Sequence, residues 1–187
     1  MTARDYEIEL ELMRLREKRR RKKFLLGLAA WCAVIWAVLH LLFGIAVVEG
    51  NSMRPAFLPG DIVLYKRGTS GGLSCKDVVL VDTALHETVI KRIAGLPGDV
   101  IDVDGKGHLT RNGAKVQETD VIYGLSETGD SVDYPYTVPE GSYFFLGDNR
   151  PVSMDSRMLG AAGKEEIKGK VIWAAGAGRW NKKTGKR

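Results

Sequence analysis

Apolar residues are unevenly distributed along the chain, and one long apolar run dominates its N-terminal part. Residues 24–48 contain no Asp, Glu, Lys or Arg over twenty-five positions. As an α-helix rising about 1.5 Å per residue, this run would be about 37 Å long, enough to cross a hydrocarbon core of about 30 Å. We therefore predict a transmembrane helix over residues 24–48. A buried helix of a soluble protein is the alternative, and this length without a charge disfavours it.

After residue 48 the helical period disappears, and short β-type runs alternate with Gly, Pro and Asp. Predicted strands cover residues 61–66, 77–82, 88–94, 99–104, 108–111, 143–146 and 170–174. Residues 99–111 have the pattern of a hairpin that turns through residues 105–107. Many short strands at close spacing predict a mostly β fold, built as an antiparallel barrel or sandwich.

Residues 115–140 do not continue this pattern of short strands, because they are polar and acidic with weak periodicity. We interpret them as part of a small β lobe or surface excursion inserted at about residues 102–140. A disordered loop is the alternative, although the three aromatic residues Tyr123, Tyr134 and Tyr136 favour some packing.

The charge of the chain is divided in a way that bears on topology and partners. Residues 1–23 hold nine basic and five acidic residues, residues 178–187 hold five basic and none acidic, and residues 49–177 have a net charge of −4. Because residues 49–177 are mildly acidic, nucleic-acid binding by this part of the chain is disfavoured. By the positive-inside rule, residues 1–23 form a cytoplasmic segment and residues 49–177 an extracytoplasmic domain. The basic tail, 178–187, either contacts lipid or is disordered.

Within the predicted strand at 88–94, two adjacent cations must point to opposite faces. Lys91 shares a face with Val89 and Ile93, and Arg92 shares the other face with Ile90 and Ala94. A buried arginine stays charged, whereas a buried lysine can lose its proton. A pKa lowered by about three units would leave a substantial fraction of neutral lysine at pH 7, able to act as a base toward a hydroxyl. A lysine that extends its ammonium to solvent at a strand edge is the alternative.

Two further segments carry groups that suit catalysis. Ser52 lies just beyond the span, two residues after Gly50 and shortly before Pro55, and no His or Asp is placed as its obvious partner. On this pattern it is either an exposed nucleophile or a turn serine. Residues 147–157 are rich in groups that orient and pair, and the alternative is a surface turn with ion pairs.

Taken together, the three segments resemble the type I signal peptidases. The S-M-x-P motif of that family corresponds to residues 52–55, its K-R-x-x-G-x-P-G-D motif to residues 91–99, and its G-D-N-R-x-x-S-x-D-S-R motif to residues 147–157. The motifs occur in the family's order across about 105 residues, after an N-terminal span. The resemblance implies a coiled antiparallel β-sheet core with a smaller inserted β lobe.

The resemblance also implies roles for single residues. Ser52 is similar to the nucleophile, Lys91 to the general base, and Ser153 to the hydroxyl that holds the lysine ammonium. The other residues implied to support the site are an ion pair of Asp155 with Arg157, a structural part formed by Asp148 and Arg150, and Gly50.

Two departures from the family pattern are visible. Gly50 stands where some members carry a serine that contributes to the oxyanion hole, and Ala56-Phe57 replaces the usual Thr-Leu. A glycine here is typical of Gram-positive members, as are a single span and a small size. It leaves backbone N–H groups, including that of Ser52, as the implied oxyanion donors.

The function implied is a membrane-bound serine endopeptidase that removes signal peptides from exported preproteins. Its substrates would carry small residues at the first and third positions before the cut, its other partner would be the lipid bilayer, and no metal or organic cofactor is implied. A non-cleaving, signal-peptidase-like chaperone for pilus or surface-protein assembly is one alternative. A self-cleaving repressor-type Ser–Lys peptidase is another, but it would be a soluble chain with a DNA-binding domain.

Overall fold

The computed structural model describes residues 3–69, 71–83, 86–127 and 129–176, with side chains from residue 13 onward. It divides into two compact units, Met1–Leu42 and Phe43–Arg187. The first unit is helical and the second is built mainly from strands. The predicted tail, 178–187, lies outside the described residues.

The first unit contains one helix, α1, which spans Ala3–Leu42. Its residues Met13–Leu42 include a window apolar enough to cross a membrane by length and composition, and none of that window is buried. Phe24, Trp31, Trp36 and Leu41 are each more than two-thirds exposed. Apolar side chains that the rest of the described chain leaves uncovered are compatible with anchoring in a lipid bilayer.

The predicted helical span of residues 24–48 is too long at its C-terminal end. The helix ends at Leu42, and Phe43–Val47 forms strand β1, which pairs antiparallel with strand β2 (Ile62–Arg67) over five residues. Gly44 explains part of this change, because a Cβ at that position would overlap the Tyr65 ring of β2. The uncharged helical part is then residues 24–42, about 28 Å long at 1.5 Å per residue, which is still close to a hydrocarbon thickness of about 30 Å.

The second unit contains a seven-stranded antiparallel sheet with the order β1-β2-β11-β3-β4-β9-β10. Its strands are β1 (Phe43–Val47), β2 (Ile62–Arg67), β3 (Val78–Asp82), β4 (Thr88–Gly95), β9 (Ser142–Leu146), β10 (Ala162–Gly163) and β11 (Ile167–Ala175). Each strand predicted for this sheet is present, with bounds shifted by up to three residues. The prediction of a mostly β fold is therefore confirmed, whereas β1 and the two-residue β10 were not predicted.

A second, four-stranded sheet forms the inserted lobe, with the order β7-β6-β5-β8. Its strands are β5 (Val100–Val103), β6 (Leu109–Arg111), β7 (Ala114–Lys115) and β8 (Tyr136–Thr137). The predicted hairpin is present, because β5 and β6 pair antiparallel with Val103 opposite Leu109. Ile101, Leu109 and Phe144 belong to one buried cluster, so the lobe packs on the large sheet through apolar side chains.

The long segment between β7 and β8 is mostly irregular, and two of its adjacent residues form isolated bridges to the large sheet's loops. Val121 forms an isolated antiparallel bridge with Pro55, and Ile122 forms an isolated parallel bridge with Asn149. This part of the segment therefore lies between the residues just after Ser52 and the loop that follows β9. The remaining elements are a short helix, α2 (Ser156–Leu159), and a 3₁₀ turn at Lys164–Glu166.

Candidate active site

Ser52 lies in a tight turn between β1 and β2. The backbone N–H of Arg54 donates to Asn51 O at 3.2 Å, which closes the turn. Met53 and Phe57 are buried in the apolar cluster beneath it, and Ser52 itself is half-buried. Because apolar side chains anchor the turn from below, the serine hydroxyl is held near the surface of the domain.

Lys91 lies in β4 and reaches the serine across thirty-nine positions of sequence. Its Nζ is 2.9 Å from Ser52 Oγ and 3.2 Å from the backbone oxygen of Ile90. Only 3% of Lys91 is exposed, even though it carries an ionisable group. The two residues therefore meet at hydrogen-bond distance in a place largely shielded from water.

Burial is the main influence on the protonation of Lys91. Loss of hydration lowers the pKa of Lys91 from 10.5 to about 8, and the negative charges of Asp155 and Asp148 oppose that shift. Desolvation disfavours the charged form of an amine, whereas nearby carboxylates favour it. At a pKa of about 8, roughly one lysine in ten is neutral at pH 7, compared with about one in 2,500 for a free lysine.

Arg92, the neighbour of Lys91, is held by a carboxylate instead. Its Nε and one terminal nitrogen donate to the two oxygens of Asp148 at 2.7 and 2.6 Å. Hydrogen bonds to Asp148 and its negative charge raise the pKa of Arg92, although burial alone would lower it. Two successive positions of the strand thus carry different cations. Arg92 is paired with a carboxylate, whereas Lys91 contacts no carboxylate among the described residues.

The loop after β9 is tied together by a second buried ion pair. Arg157 Nε donates to Asp155 at 2.8 Å, and at most 2% of either side chain is exposed. Asp155 also accepts from the Gly147 N–H at 2.9 Å and caps α2 by accepting from the Arg157 N–H. This one carboxylate links the start of the loop, the helix and the arginine.

Asp148 and Arg150 are both buried, but they do not pair with each other. Asp148 pairs with Arg92, whereas Arg150 donates to Glu118 of the inserted lobe at 2.5 Å and to Gly107 O at 2.6 Å. No role in the site was predicted for Arg92 or Glu118 from the sequence. The motif contained Arg92, but nothing in the sequence showed that its partner would be Asp148.

Ser153 has a different environment from the one that the resemblance implied. It is 2% exposed, and its Oγ has no hydrogen-bond partner among the described residues. Gly147 lies against it, because a Cβ at Gly147 would overlap Ser153 Oγ and come within 2.7 Å of Ser52 O. The hydroxyl therefore lies close to the Ser52 turn, without the expected bond to Lys91.

A cleft of about 500 Å³ opens beside Ser52 and Lys91, lined by residues 46–50 on one side and 87–91 on the other. On its β9 side, β4 pairs only through residues 92–95, so residues 88–91 have a free edge there within the described part of the chain. β1 pairs only with β2 among the described strands, so it also has an unpaired edge. Gly50 lies in this cleft with φ of +71°, and no atom of the described residues lies within 4 Å of the position that a Cβ would take there.

Comparison with known proteins identifies the family. Residues 21–175 match the model of the family described as "Signal peptidase, peptidase S26". The chain belongs to the signal peptidase I family. Signal peptidase I P of Bacillus subtilis subsp. natto is 36% identical over 157 residues, which cover 76% of this chain and 83% of that protein. Signal peptidase IB of Staphylococcus aureus strain Mu50 is 30% identical over 173 residues, which cover 82% and 88%.

A solved structure in the same family also aligns with this chain. The crystal structure of a signal peptidase I from Enterococcus faecalis V583 aligns with a TM-score of 0.43 and 29% identity, covering 52% of this chain and 95% of that one. The family assignment depends on the sequence matches, which also confirm the prediction of a peptide hydrolase of the signal peptidase I type.

Proposed function

We propose that this signal peptidase is a membrane-bound endopeptidase that cleaves exported preproteins with Ser52 as nucleophile and Lys91 as general base. The observation that carries this proposal is the 2.9 Å separation of Lys91 Nζ and Ser52 Oγ, with the lysine almost fully buried. A hydroxyl needs a base within hydrogen-bond reach to become a nucleophile near neutral pH. A lysine with a pKa of about 8 provides that base.

The reaction proceeds in two stages. In the first, neutral Lys91 takes the Ser52 proton while Oγ attacks the scissile carbonyl, and the ammonium then protonates the leaving amine. The mature protein departs, and the signal peptide stays as an ester on Ser52. In the second stage, neutral Lys91 takes a proton from water, whose oxygen attacks the ester, and the signal peptide leaves as Ser52 regains its proton.

The oxyanion that forms in each stage needs hydrogen-bond donors. Ser52 lines the cleft, and in this proposal its backbone N–H serves as one donor. Gly50 brings no side-chain hydroxyl, so the second donor is another main-chain group or an ordered water. Backbone donors already fixed by a turn stabilise the developing charge without reorganising.

The remaining motif residues support the pair. When Lys91 accepts a proton it becomes an ammonium with three N–H donors, of which Ile90 O and Ser52 Oγ each accept one. Ser153 accepts the third in our proposal, since its hydroxyl is buried beside Gly147 and lacks another partner among the described residues. The ion pairs of Asp155 with Arg157 and of Asp148 with Arg92 hold the loops on which these groups lie.

Preproteins bind in this proposal as an extended strand. The free edges of β1 and of residues 88–91 in β4 border the cleft, and an added strand can pair with such edges through its backbone. The resemblance to the family adds the preference for small residues at the first and third positions before the cut. The bilayer is the second partner, with α1 as a single-pass anchor, the N-terminus in the cytoplasm and the β unit outside.

The direct test is preprotein cleavage by the detergent-solubilised full chain and two variants. Ser52→Ala and Lys91→Ala should each lose essentially all activity, whereas Lys66→Ala, an exposed lysine of β2, should retain it. Retention of full activity by either of the first two variants would overturn the dyad. Orientation is tested by protease treatment of intact cells stripped of their outer layers, which should degrade the β unit.

The same experiment addresses the alternative of a non-cleaving assembly chaperone. A chaperone of that kind would not need a serine and a buried lysine at hydrogen-bond distance, and it would leave preproteins uncut. If the wild-type chain binds preproteins without cleaving them, the chaperone proposal replaces the peptidase proposal.

A further inference from the structure

Asn149 holds two successive carbonyl oxygens of the turn that carries Ser52. Its side-chain Nδ2 donates to Asn51 O at 3.1 Å, and its backbone N–H donates to Ser52 O at 2.9 Å. These oxygens belong to the two peptide groups on either side of the Ser52 Cα. A single residue of the loop after β9 therefore orients both peptide planes at the proposed nucleophile.

The geometry of the peptide bond links the Asn149 side chain to the proposed oxyanion donor. Asn51 C=O and Ser52 N–H belong to one planar trans peptide group, in which they point in opposite directions. A group that donates a hydrogen bond to Asn51 O therefore also fixes the direction of the Ser52 N–H. A hydrogen bond to a carbonyl also polarises its peptide group, which strengthens the N–H at the other end as a donor.

We propose that Asn149 is a positioning residue of the oxyanion hole. Its side-chain amide holds the peptide group between Asn51 and Ser52, so that the Ser52 N–H points at the oxyanion that develops during acyl transfer. This inference rests on the proposed role of Ser52 as nucleophile. Asn149 does not touch the substrate in this arrangement, because it acts from behind the turn through the Asn51 carbonyl.

The backbone on both sides of Asn149 is held rigidly. The Ile122 N–H donates to Asp148 O at 2.8 Å, and the Arg150 N–H donates to Ile122 O at 2.9 Å, so the inserted lobe clamps the backbone on both sides of Asn149. Asp148 and Arg150 are each 2% exposed and are held by ion pairs. An amide can orient another group only when its own position is fixed, and this requirement is met here.

The Asn149 bonds hold the backbone of the turn from outside. The local bond from Arg54 N–H to Asn51 O, at 3.2 Å, closes the turn but lies within it. A bond inside the turn cannot fix its orientation relative to Lys91, which belongs to a different strand. The two Asn149 bonds come from outside the turn, and they connect it to the loop that also contains Asp155.

The test uses the detergent-solubilised full chain and the substitution Asn149→Ala. This change removes the side-chain donor and keeps the backbone N–H that binds Ser52 O. We expect the single-turnover cleavage rate at saturating enzyme to fall about tenfold. A loss of this size is expected when the hydrogen bond from the Ser52 N–H to the oxyanion is weakened. We expect a change below twofold in KM and no change in the pH midpoint, because Lys91 is untouched. A loss of folded protein alone would not change a single-turnover rate measured at saturation.

A transition-state probe separates positioning from general structural damage. A peptide aldehyde ending in Ala-X-Ala forms a tetrahedral adduct with an active serine, and the adduct oxygen occupies the oxyanion hole. Its inhibition constant should rise about tenfold in Asn149→Ala, in parallel with the loss of rate. Tyr134→Phe, which removes a 3.2 Å bond to Asp130 within the lobe, is the matched control and should change neither value.

Asn149→Asp provides a second variant with a distinct signature. It keeps the shape of the side chain but faces the Asn51 carbonyl with an acceptor, so the rate should fall by more than tenfold. The added negative charge near Lys91 should also raise the pH midpoint, which Asn149→Ala leaves unchanged. If the alanine variant does not fold, Asn149→Ser replaces it in both assays with the same expected directions.

The outcomes distinguish this inference from the proposed function. An Asn149→Ala enzyme with the wild-type single-turnover rate and wild-type aldehyde affinity would overturn the positioning role, while leaving Ser52 and Lys91 in place. An active Ser52→Ala enzyme would instead overturn the proposed function on which the inference rests.

Discussion

Arg92, the residue that follows the proposed general base Lys91, forms a bidentate ion pair with Asp148, with N–O distances of 2.7 and 2.6 Å. Arg92 follows Lys91 in an unbroken stretch of β4, where the register pairs Lys91 with Val79 and Arg92 with Val78. Adjacent residues of a strand point to opposite faces. The strand therefore carries a cation neutralised by a carboxylate on one face and a lysine whose proton is readily lost on the other.

Removal of Arg92 should destabilise the protein and change the base at the same time. Arg92→Ala leaves the buried Asp148 carboxylate unpaired, and breaking a buried pair in this way costs about 3–5 kcal/mol. The uncompensated negative charge should also raise the pKa of Lys91 and move the activity midpoint to higher pH. Thermal unfolding in detergent and a pH–rate profile measure the two effects. Lys168→Ala, which breaks an exposed pair with Asp82, should cost less than about 1 kcal/mol.

The rate of acylation should depend on the protonation state of Lys91. Only neutral lysine can accept the Ser52 proton, so the rate should rise tenfold per pH unit below the pKa and level off above about pH 8. Single-turnover cleavage between about pH 5.5 and 9.5, a range that brackets the midpoint near pH 8, measures this profile. A rate that still rises tenfold per unit at pH 9.5 would show that burial does not lower the pKa of this lysine.

Replacing the buried lysine with an apolar residue of similar length should stabilise the inactive enzyme. Below pH 8 the folded protein holds a charged Lys91 in a desolvated place, and the pKa difference from 10.5 to about 8 corresponds to at most about 3 kcal/mol. Lys91→Met removes that penalty, so its unfolding temperature should exceed that of the wild type at pH 7.

The pH dependence of this gain has a definite sign. Between about pH 8 and 10.5, the unfolded chain keeps the Lys91 proton that the folded chain has lost, so the wild type becomes more stable as pH rises. The advantage of Lys91→Met should therefore shrink across this window. An advantage that is constant from pH 7 to 10.5 would indicate better packing of methionine rather than loss of a buried charge.

Ser153 and Ser156 should respond differently to the loss of their hydroxyls. Ser153 Oγ has no partner among the described residues, whereas Ser156 Oγ accepts from the buried Phe145 N–H at 2.9 Å. Ser153→Ala should leave stability unchanged or slightly higher but lower the cleavage rate several-fold, because the Lys91 ammonium loses its proposed third acceptor. Ser156→Ala should lower stability by about 1–3 kcal/mol because it orphans a buried donor. An unchanged rate in Ser153→Ala would remove Ser153 from the mechanism.

Gly147 should not tolerate even an alanine. A Cβ there would overlap Ser153 Oγ and lie 2.7 Å from Ser52 O, so the Ser52 turn would have to move. Because displacements of about 1 Å can reduce catalysis a hundredfold, Gly147→Ala should be nearly inactive in the cleavage assay. Gly105→Ala is the matched control, since the nearest atom to its added Cβ is a Leu125 methyl group at 4.0 Å. The two variants should differ in rate even where both fold.

The sequence by itself determined the broad organisation of this protein. The uncharged run after the basic N-terminal segment predicted a helix, although it predicted that helix six residues too long, because β1 is also apolar. Strand alternation singled out Lys91 rather than Arg92 as the cation able to lose its proton, and the three motifs identified the family. These features depend on residues that are close in sequence, so local pattern is sufficient to show them.

Only the tertiary structure decided which side chains meet. The 2.9 Å contact of Ser52 with Lys91, the pairing of Asp148 with Arg92 rather than Arg150, and the bonds from Asn149 to the Ser52 turn join positions 39, 56 and about 98 residues apart. Such contacts depend on sheet order and on loops whose paths no local period specifies. Sequence motifs therefore indicated which groups were present, and the folding of β4 and the loop after β9 determined which of them act together.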